Sequence, residues 1–285
     1  MHLAPLMLRA EHAASQGVGP ALRELRQMCL TDFGHRLLYL PDAKVPGLSS
    51  ILPGMMPADR AAYWTGGGGH DQLLDSLSFV RILAQGYHDH TGKTLHDKRI
   101  LDFGCGFGRL LRMMLYYTDP ANLAGVDPWE GSLEACKEFN VLGDIRQSDY
   151  LPTSLPVTGK FDAIYSYSVL THTSRRATLA ALAVLRDVIA DNGLLTITIR
   201  PVEFWHVWGP TNGLPNDKIA RLQRQHFDEG FAFDPIDLPP IDGDITFGTT
   251  SMNLEWIEAT APGWRFVGYD RGIEAFQQII FLKPV

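Results

Sequence analysis

Three glycines at alternate positions mark a place where the backbone could approach a ligand closely. Gly104, Gly106 and Gly108 follow an apolar run that contains Asp102, and a helical pattern begins directly after them. Glycine permits a tight turn and a close approach, and the free N–H groups at a helix start attract a carboxylate or a phosphate. Asp127 ends the next apolar run, where an acid can accept hydrogen bonds from both hydroxyls of a ribose.

Two other interpretations of this loop have to be weighed. A nicotinamide or flavin dinucleotide site has the pattern G-x-G-x-x-G/A, but the third position here is Arg109, a large side chain where close packing needs glycine. A glycine-rich turn without a ligand is the other interpretation. The succession of strand, glycines, helix, strand and acid argues against it. The spacing therefore favours a ligand loop of the G-x-G-x-G type.

Alternating strands and helices position this loop. Short apolar runs and helical periodicity alternate over residues 98–200, which predicts a mostly parallel sheet with helices on both faces. A helix is predicted over Arg176–Ala190, ended by the polar turn at 191–193. The predicted strands are Lys98–Phe103, Leu123–Asp127, Asp144–Ser148, Phe161–Tyr167 and Leu194–Ile199.

The flanking regions have different patterns. Residues 1–95 contain two helical patterns separated by prolines, which predicts a helical N-terminal cap. Residues 201–243 are rich in proline and aromatic residues, which predicts an insertion over the sheet edge. Residues 244–285 predict a helix and two strands joined by a short glycine-containing turn, an antiparallel hairpin. The predicted domains are therefore 1–95, 96–200, 201–243 and 244–285.

The core region resembles class I S-adenosylmethionine-dependent methyltransferases. Their first motif is similar to Leu101-Asp102-x-Gly104-x-Gly106-x-Gly108, and their second-strand acid to Asp127. Their fourth-strand motif is similar to the segment 161–172, and the turn before their fifth strand to Asn192-Gly193. The resemblance implies an α/β, Rossmann-like sheet of seven mostly parallel strands with an antiparallel C-terminal hairpin. It also implies S-adenosyl-L-methionine as the cofactor and methyl transfer as the reaction.

The resemblance implies roles for individual residues as well. The backbone of Gly104–Gly108 would hold the methionine end, Asp102 its amino group, and Asp127 the ribose hydroxyls. Asp149 would accept from the adenine amino group, and Ser166 or Tyr167 would offer a backbone carbonyl to the cofactor amine. Three aromatic residues would either contact the cofactor or pack in the core: Trp129 at the adenine, Tyr150 beside Asp149, and Tyr63 at the methionine carboxylate.

Three side chains are candidates for the base that a protonated oxygen or nitrogen acceptor needs. His172 follows the fourth strand, and imidazole titrates near neutral pH. Glu203 and His206 follow the fifth strand, on the segment that leaves it toward the same face. Each has a structural alternative, which is a cap or a backbone contact for His172 and a satellite core for the aromatic insertion. The expected acceptor is a small or medium-sized metabolite, methylated at oxygen rather than at nitrogen or carbon.

Composition narrows the class of protein further. The net charge is −7, which disfavours a nucleic-acid substrate. The three cysteines lack CxxC spacing and are expected to be free thiols of a cytoplasmic protein, and no close set of acids or histidines predicts a metal. No apolar run is long enough for membrane insertion. The sequence does not decide between a monomer and a homo-oligomer, because no stretch marks an obligate dimer surface.

Other functions remain possible at this point. Bacterial methyltransferases that modify sugars or natural products have a similar core, which points to natural-product biosynthesis. A regulatory or partner protein could retain the cofactor site without catalysis. A dinucleotide-dependent oxidoreductase is the third class, disfavoured by Arg109.

Overall fold

The apolar runs of the core region form strands in a computed structural model, which describes residues 4–271 and 276–285. The runs at 100–103 and 123–127 are buried because they consist mostly of apolar residues. The strands are β1 (Ile100–Phe103), β2 (Leu123–Asp127), β3 (Asp144–Gln147), β4 (Phe161–Ser166), β5 (Ile189–Ile199), β6 (Phe231–Pro235), β7 (Gly248–Met252), β8 (Trp264–Asp270) and β9 (Gln278–Pro284).

Within the described residues, seven of these strands form one sheet in the order β3-β2-β1-β4-β5-β9-β8. The strands β1, β2 and β3 run parallel, as do β4 and β5, whereas β9 is antiparallel to both β5 and β8. This confirms the predicted α/β class with an antiparallel C-terminal strand pair. Gly272, in the predicted turn of that pair, lies outside the described residues.

Helices fill the N-terminal segment and connect the strands. Inside these described ranges, no helix is both long and apolar enough to cross a membrane. The helices are α1 (Ala4–Ala14), α2 (Val18–Leu25), α3 (Leu30–Leu38), α4 (Pro46–Ile51), α5 (Ala58–Thr65), α6 (Gly69–Thr91), α7 (Arg109–Met114), α8 (Glu130–Glu138), α9 (Arg175–Val188), α10 (Glu203–Thr211), α11 (Asn216–Glu229) and α12 (Leu254–Thr260).

The described part of the chain divides into two compact units, and the predicted four-domain division stays a prediction. Of the described residues, the first unit contains 4–88 and 93–147, and the second contains 89–92, 148–271 and 276–285. In the first unit, α3 packs so closely on α6 and α7 that a Cβ added at Gly34 would lie 3.1 Å from Leu77. Phe33 beside it is fully buried, a burial that contributes about 2 kcal/mol.

The insertion in the second unit is more regular than its composition predicts. It forms α10, α11 and β6, and β6 pairs with β7 in a separate antiparallel ribbon. Pro215 precedes α11 at its N-cap, where a proline is compatible with a helix start. Trp205 is fully buried and donates from Nε1 to Ser251 Oγ at 2.6 Å. With Phe204, Ile219, Leu222 and Ala232 it forms a satellite core, the structural alternative considered above.

One predicted boundary was wrong. The helix α9 ends at Val188, and β5 begins at the next residue, Ile189, instead of after the turn at 191–193. Ile189 lies opposite Phe161 on β4 and Leu194 lies opposite Ala163, so the polar residues between them bulge out of the strand. Exposure of the residues at 191 and 192 to solvent explains why a polar turn pattern occurs within a strand.

Candidate functional site

The glycine loop connects β1 to α7 in the first unit. Gly104, Gly106 and Gly108 have φ values of 77°, 52° and 74°, in the left-handed region that favours glycine. At Gly108 an added Cβ would lie 2.6 Å from Cγ1 of Val141, so a side chain would collide there. The N–H of Gly104 donates to the carbonyl of Val126 at 2.8 Å, which turns the loop back over β2.

Asp127 is held against this loop at the end of β2. Its Oδ2 accepts from the N–H of Gly106 at 2.8 Å, and its Oδ1 accepts from the N–H of Trp129 at 3.0 Å. Burial raises the pKa of Asp127 above its usual value, although the N–H groups of Trp129 and Gly106 and the nearby hydroxyl of Ser132 oppose the increase. A carboxylate has about four acceptor sites, so this arrangement leaves Asp127 able to accept from a ligand hydroxyl.

The carbonyl side of the loop is fixed as well. The Sγ of Cys136, on α8, donates to the carbonyl oxygen of Gly106 at 3.2 Å. Cys105 is buried beside it, and a hydrogen bond with Cys136 together with burial raises the pKa of the Cys105 thiol. Both peptide groups that flank the Gly106 Cα are therefore held in place. Asp102 is buried on β1, just before the loop.

Arg109 stands where the G-x-G-x-x-G pattern has its third glycine. Arg109 begins α7, and its Nη1 donates to Ser76 Oγ on α6 at 3.2 Å. A long charged side chain that extends to α6 therefore stands where a dinucleotide fingerprint has a glycine.

Three aromatic residues gather over the glycine loop, two of which the sequence indicated. Trp129 and Tyr63 were candidates for cofactor contacts, and their ring centroids lie 5.7 Å apart. Tyr63 is 78% exposed, however, while its neighbour Trp64 reaches the loop. The ring centroid of Trp64 lies 5.0 Å from that of Trp129 and 5.6 Å from that of Phe107. The Tyr-Trp dipeptide was visible in the sequence, but nothing in it showed which ring faces the loop.

The remaining predicted cofactor residues belong to the second unit. Asp149 and Tyr150 lie just after β3 in the chain, and both are exposed. Ser166 ends β4 and is fully buried, and its Oγ has no hydrogen-bond partner in the part of the chain that the structure describes. The predicted role of Ser166 uses its backbone carbonyl, so it stays a prediction, as do the roles of Asp149 and Tyr150.

His172 has both ring nitrogens engaged. Its Nδ1 lies 2.9 Å from the carbonyl oxygen of Gly248, and its Nε2 lies 3.0 Å from Nη2 of Arg200. A carbonyl can only accept and a guanidinium can only donate, so Nδ1 carries the proton and Nε2 accepts. The ring of Phe247 stacks on the imidazole with a centroid distance of 5.4 Å. Burial and the Arg200 cation lower the pKa of His172 to about 4.

This geometry counts against His172 as a base, because a proton could reach Nε2 only by displacing Arg200. The structural alternative of a backbone contact matches the bond to Gly248. Glu203 and His206 occupy exposed positions on α10, and within the described residues no hydrogen bond joins either of them to His172. The structure therefore does not bring the three candidate bases together.

A polar cluster that the sequence did not reveal lies at the carboxyl ends of β4 and β5. Ser168 has a φ of 59°, which is rare for a residue with a side chain, and its N–H donates to Thr198 Oγ1 at 2.7 Å. Gln277 Nε2 donates to Ser168 Oγ at 3.1 Å. The buried Oε1 of Gln277 has no hydrogen-bond partner among residues 4–271 and 276–285.

Aromatic rings adjoin this cluster in the second unit. The rings of Phe204 and Trp208 stack with a centroid distance of 5.1 Å, and the guanidinium carbon of Arg200 lies 4.4 Å from the Phe204 centroid. Phe276, next to Gln277 in the chain, contacts Phe204 edge-on at 6.4 Å and is partly exposed. The second unit therefore places hydroxyl and amide groups beside an aromatic stack. In the described ranges, no group of three or more His, Cys, Asp or Glu side chains is arranged to hold a metal ion.

Comparison with known proteins adds a family to this geometry. The family model of a methyltransferase domain matches residues 100–193, which contain the glycine loop, Asp127 and the strands β1 to β4. No curated protein matches the sequence.

Solved structures share the fold. The PH0226 protein from Pyrococcus horikoshii OT3 is 14% identical, with a TM-score of 0.50 over 73% of this chain and 90% of that one. The DesVI protein from Streptomyces venezuelae is 15% identical, with a TM-score of 0.50 over 80% of this chain and 97% of that one. At these identities the likeness establishes the fold alone. The family match adds that residues 100–193 are similar to a methyltransferase domain.

Proposed function

We propose that this chain transfers a methyl group from S-adenosyl-L-methionine to a hydroxyl group of a small or medium-sized metabolite. The observation that carries the cofactor assignment is Asp127, a buried carboxylate held by two backbone N–H groups at the glycine loop. Its remaining acceptor capacity suits a ribose hydroxyl. When bound, the cofactor would supply an electrophilic methyl group on a sulfonium.

Gly106 lets the loop backbone lie close to Trp64, since a Cβ added there would already be 3.6 Å from Cδ1 of the indole. The backbone of the glycines would hold the methionine end beside Asp102. Trp129 would lie against the adenine, and Tyr63 would contact the methionine carboxylate. Asp149, with Tyr150 beside it, and the Ser166 carbonyl complete the proposed set.

The acceptor assignment rests on the polar cluster of the second unit. Methyl transfer is an in-line displacement, so holding the acceptor in place supplies much of the rate. The buried amide oxygen of Gln277, which has no hydrogen-bond partner among the described residues, is suited to accept from an acceptor hydroxyl. The strained Ser168 holds that amide in position. The aromatic stack beside it would contact an apolar part of the acceptor. Because His172 is engaged, Glu203 and His206 remain the candidate bases.

The compartment, the assembly and the pathway complete the proposal. The cysteines of the described residues are free thiols, which supports a cytoplasmic protein. We place the enzyme in the biosynthesis of a natural product, as a monomer or a homo-oligomer, and expect no nucleic-acid partner because the chain is acidic.

Calorimetric titration with S-adenosylhomocysteine tests the cofactor assignment. We expect S-adenosylhomocysteine to bind the purified protein one to one. We expect NADH not to bind, which its nicotinamide fluorescence would measure. Absence of S-adenosylhomocysteine binding to folded, ligand-free protein would contradict the proposed function. Transfer of labelled methyl groups to a panel of metabolites then separates an enzyme from a catalytically silent binding protein.

The Gln277→Ala variant tests the acceptor assignment. Loss of one hydrogen bond to the acceptor is expected to raise its KM about tenfold, while the Kd of S-adenosylhomocysteine stays within about twofold. The measurement is steady-state kinetics with an acceptor found by the labelled-methyl screen. Gln225→Ala on α11 is the matched control, and an equal change in KM for both variants would refute the role of Gln277.

A further inference from the structure

The aromatic stack of the second unit has an open side. Phe204 is buried in the satellite core, and its ring contacts Trp208 face to face at 5.1 Å and Phe276 edge-on at 6.4 Å. Trp208 is only partly buried, and Phe276 is 39% exposed. Because the core does not enclose these two rings, a flat apolar ligand can lie against them.

A buried amide oxygen adjoins this open side. Gln277 follows Phe276 in the chain, and its side chain belongs to a residue that is only 8% exposed. Its Nε2 donates to Ser168 Oγ at 3.1 Å, whereas its Oε1 has no hydrogen-bond partner in any described residue. An unsatisfied buried acceptor costs free energy. A hydroxyl carried by the ligand would remove that cost.

The helix α10 directs two of the candidate bases away from the rings. Phe204, Trp205 and Trp208, spaced one and four residues apart, form the buried and partly buried face of this helix. Glu203 and His206 occupy exposed positions of α10. A base on that exposed face could exchange a proton with a ligand at the rings only through solvent.

The charged groups near the rings suit an acidic hydroxyl. Nε2 of His172 is engaged by Arg200, and the guanidinium carbon of Arg200 lies 4.4 Å from the centroid of Phe204. A cation favours the ionised form of an acid beside it. An aliphatic alcohol would need a strong base at this place, whereas a phenol, with a pKa of about 10, gives up its proton far more easily.

From these contacts we propose that the methyl acceptor is a phenol, whose ring lies against Trp208 and Phe276 and whose hydroxyl donates to Oε1 of Gln277. The phenol oxygen would form the new bond to the methyl carbon, and the carbon–sulfur bond would break with its electron pair left on sulfur. The hydroxyl proton would pass to water. This inference rests on the proposed function and narrows its acceptor from hydroxyl compounds in general to aromatic ones.

Labelled methyl transfer to matched panels of acceptors tests the assignment. The panels are substituted phenols, aliphatic alcohols that include sugars, and amines, each offered to the full chain at equal concentration. We expect the phenols to react at least about a hundredfold faster than the alcohols, which is the rate that a missing base costs. For each phenol, kcat/KM should rise with pH up to the pKa of its hydroxyl.

Variants connect this activity with the open side. Trp208→Leu removes one of its rings and is expected to lower kcat/KM for the phenols about tenfold, while the Kd of S-adenosylhomocysteine stays within about twofold. Phe227→Leu on α11, at a ring that is exposed, is the matched control and should change neither value. Should Trp208→Leu fail to fold, Phe276→Leu at the more exposed ring takes its place.

The outcomes separate this inference from the proposed function. Transfer to aliphatic alcohols as fast as to phenols, or an equal loss of activity in Trp208→Leu and Phe227→Leu, would overturn the phenol assignment and leave hydroxyl methylation standing. Transfer to the amines alone would contradict the proposed function and the phenol assignment with it. The same holds if a protein that binds S-adenosylhomocysteine methylates no member of the panels.

Discussion

Replacing Asp127 by alanine is expected to weaken the binding of S-adenosylhomocysteine at least a hundredfold. The carboxylate would accept from ribose hydroxyls, and a hydrogen bond to a charged group contributes about 1.5–3 kcal/mol. The substitution also leaves the N–H groups of Gly106 and Trp129 without their acceptor. Calorimetry on the native and variant proteins, each shown to be folded by circular dichroism, measures the loss.

Glu134→Ala is the matched control for this experiment. Glu134 is an exposed acid on α8, the same helix that carries Ser132, and its loss should leave the Kd unchanged. Because the pKa of Asp127 is raised, the native affinity should also fall on acidification at a higher pH than for an ordinary aspartate. Native-like binding by Asp127→Ala would remove the observation on which the cofactor assignment depends.

Acidification is expected to destabilise the fold through His172. Its pKa in the folded chain is about 4, below the ordinary value of 6.5. Above pH 6.5 the imidazole is neutral in both states and the contribution is complete. Between pH 6.5 and 4 the unfolded chain binds a proton that the folded chain refuses, so the free energy of unfolding falls by up to about 3 kcal/mol.

Denaturant unfolding at pH 7.5 and at pH 4.5 measures this dependence. His172→Gln should be less stable than the native protein at pH 7.5, since it disturbs the contacts with Arg200 and Gly248, but it should lose less on acidification. His226 has a pKa lowered in the same sense by burial and contributes to the remaining slope. His206→Gln, at an exposed position, is the control. An unchanged slope in His172→Gln would show that His172 does not titrate in this range.

The core sheet could be predicted because β1, β2 and β4 are short, mainly apolar runs in a fixed order. The glycine loop and Asp127 could be located for the same reason, since both directly follow such runs. The helices of the insertion were not predicted, because prolines at 210 and 215 and scattered aromatics obscure the periodicity of α10 and α11. At 191–193 a turn was predicted where the structure has a bulge in β5. The polar residues of that bulge resemble those of a turn.

The parts of the site that were missed depend on contacts between distant positions. Trp64 and Ser132 are 68 residues apart, and Ser168 and Gln277 are 109 residues apart. No local pattern links such pairs, because they meet only through the packing of several elements. The same holds for His172, whose residue type suggests a base, while its contacts with Arg200 and Gly248 could not be predicted from the sequence.

The pairing of Trp64 with Trp129 gives this protein an optical property. Two indoles whose centroids lie 5.0 Å apart, with their planes inclined by 38°, couple electronically and produce a circular-dichroism signal in the ultraviolet absorption bands of tryptophan. An adenine that came to lie against one of the rings would change that coupling. Occupancy of the glycine loop can therefore be followed on the unlabelled chain, before any methyl acceptor has been identified.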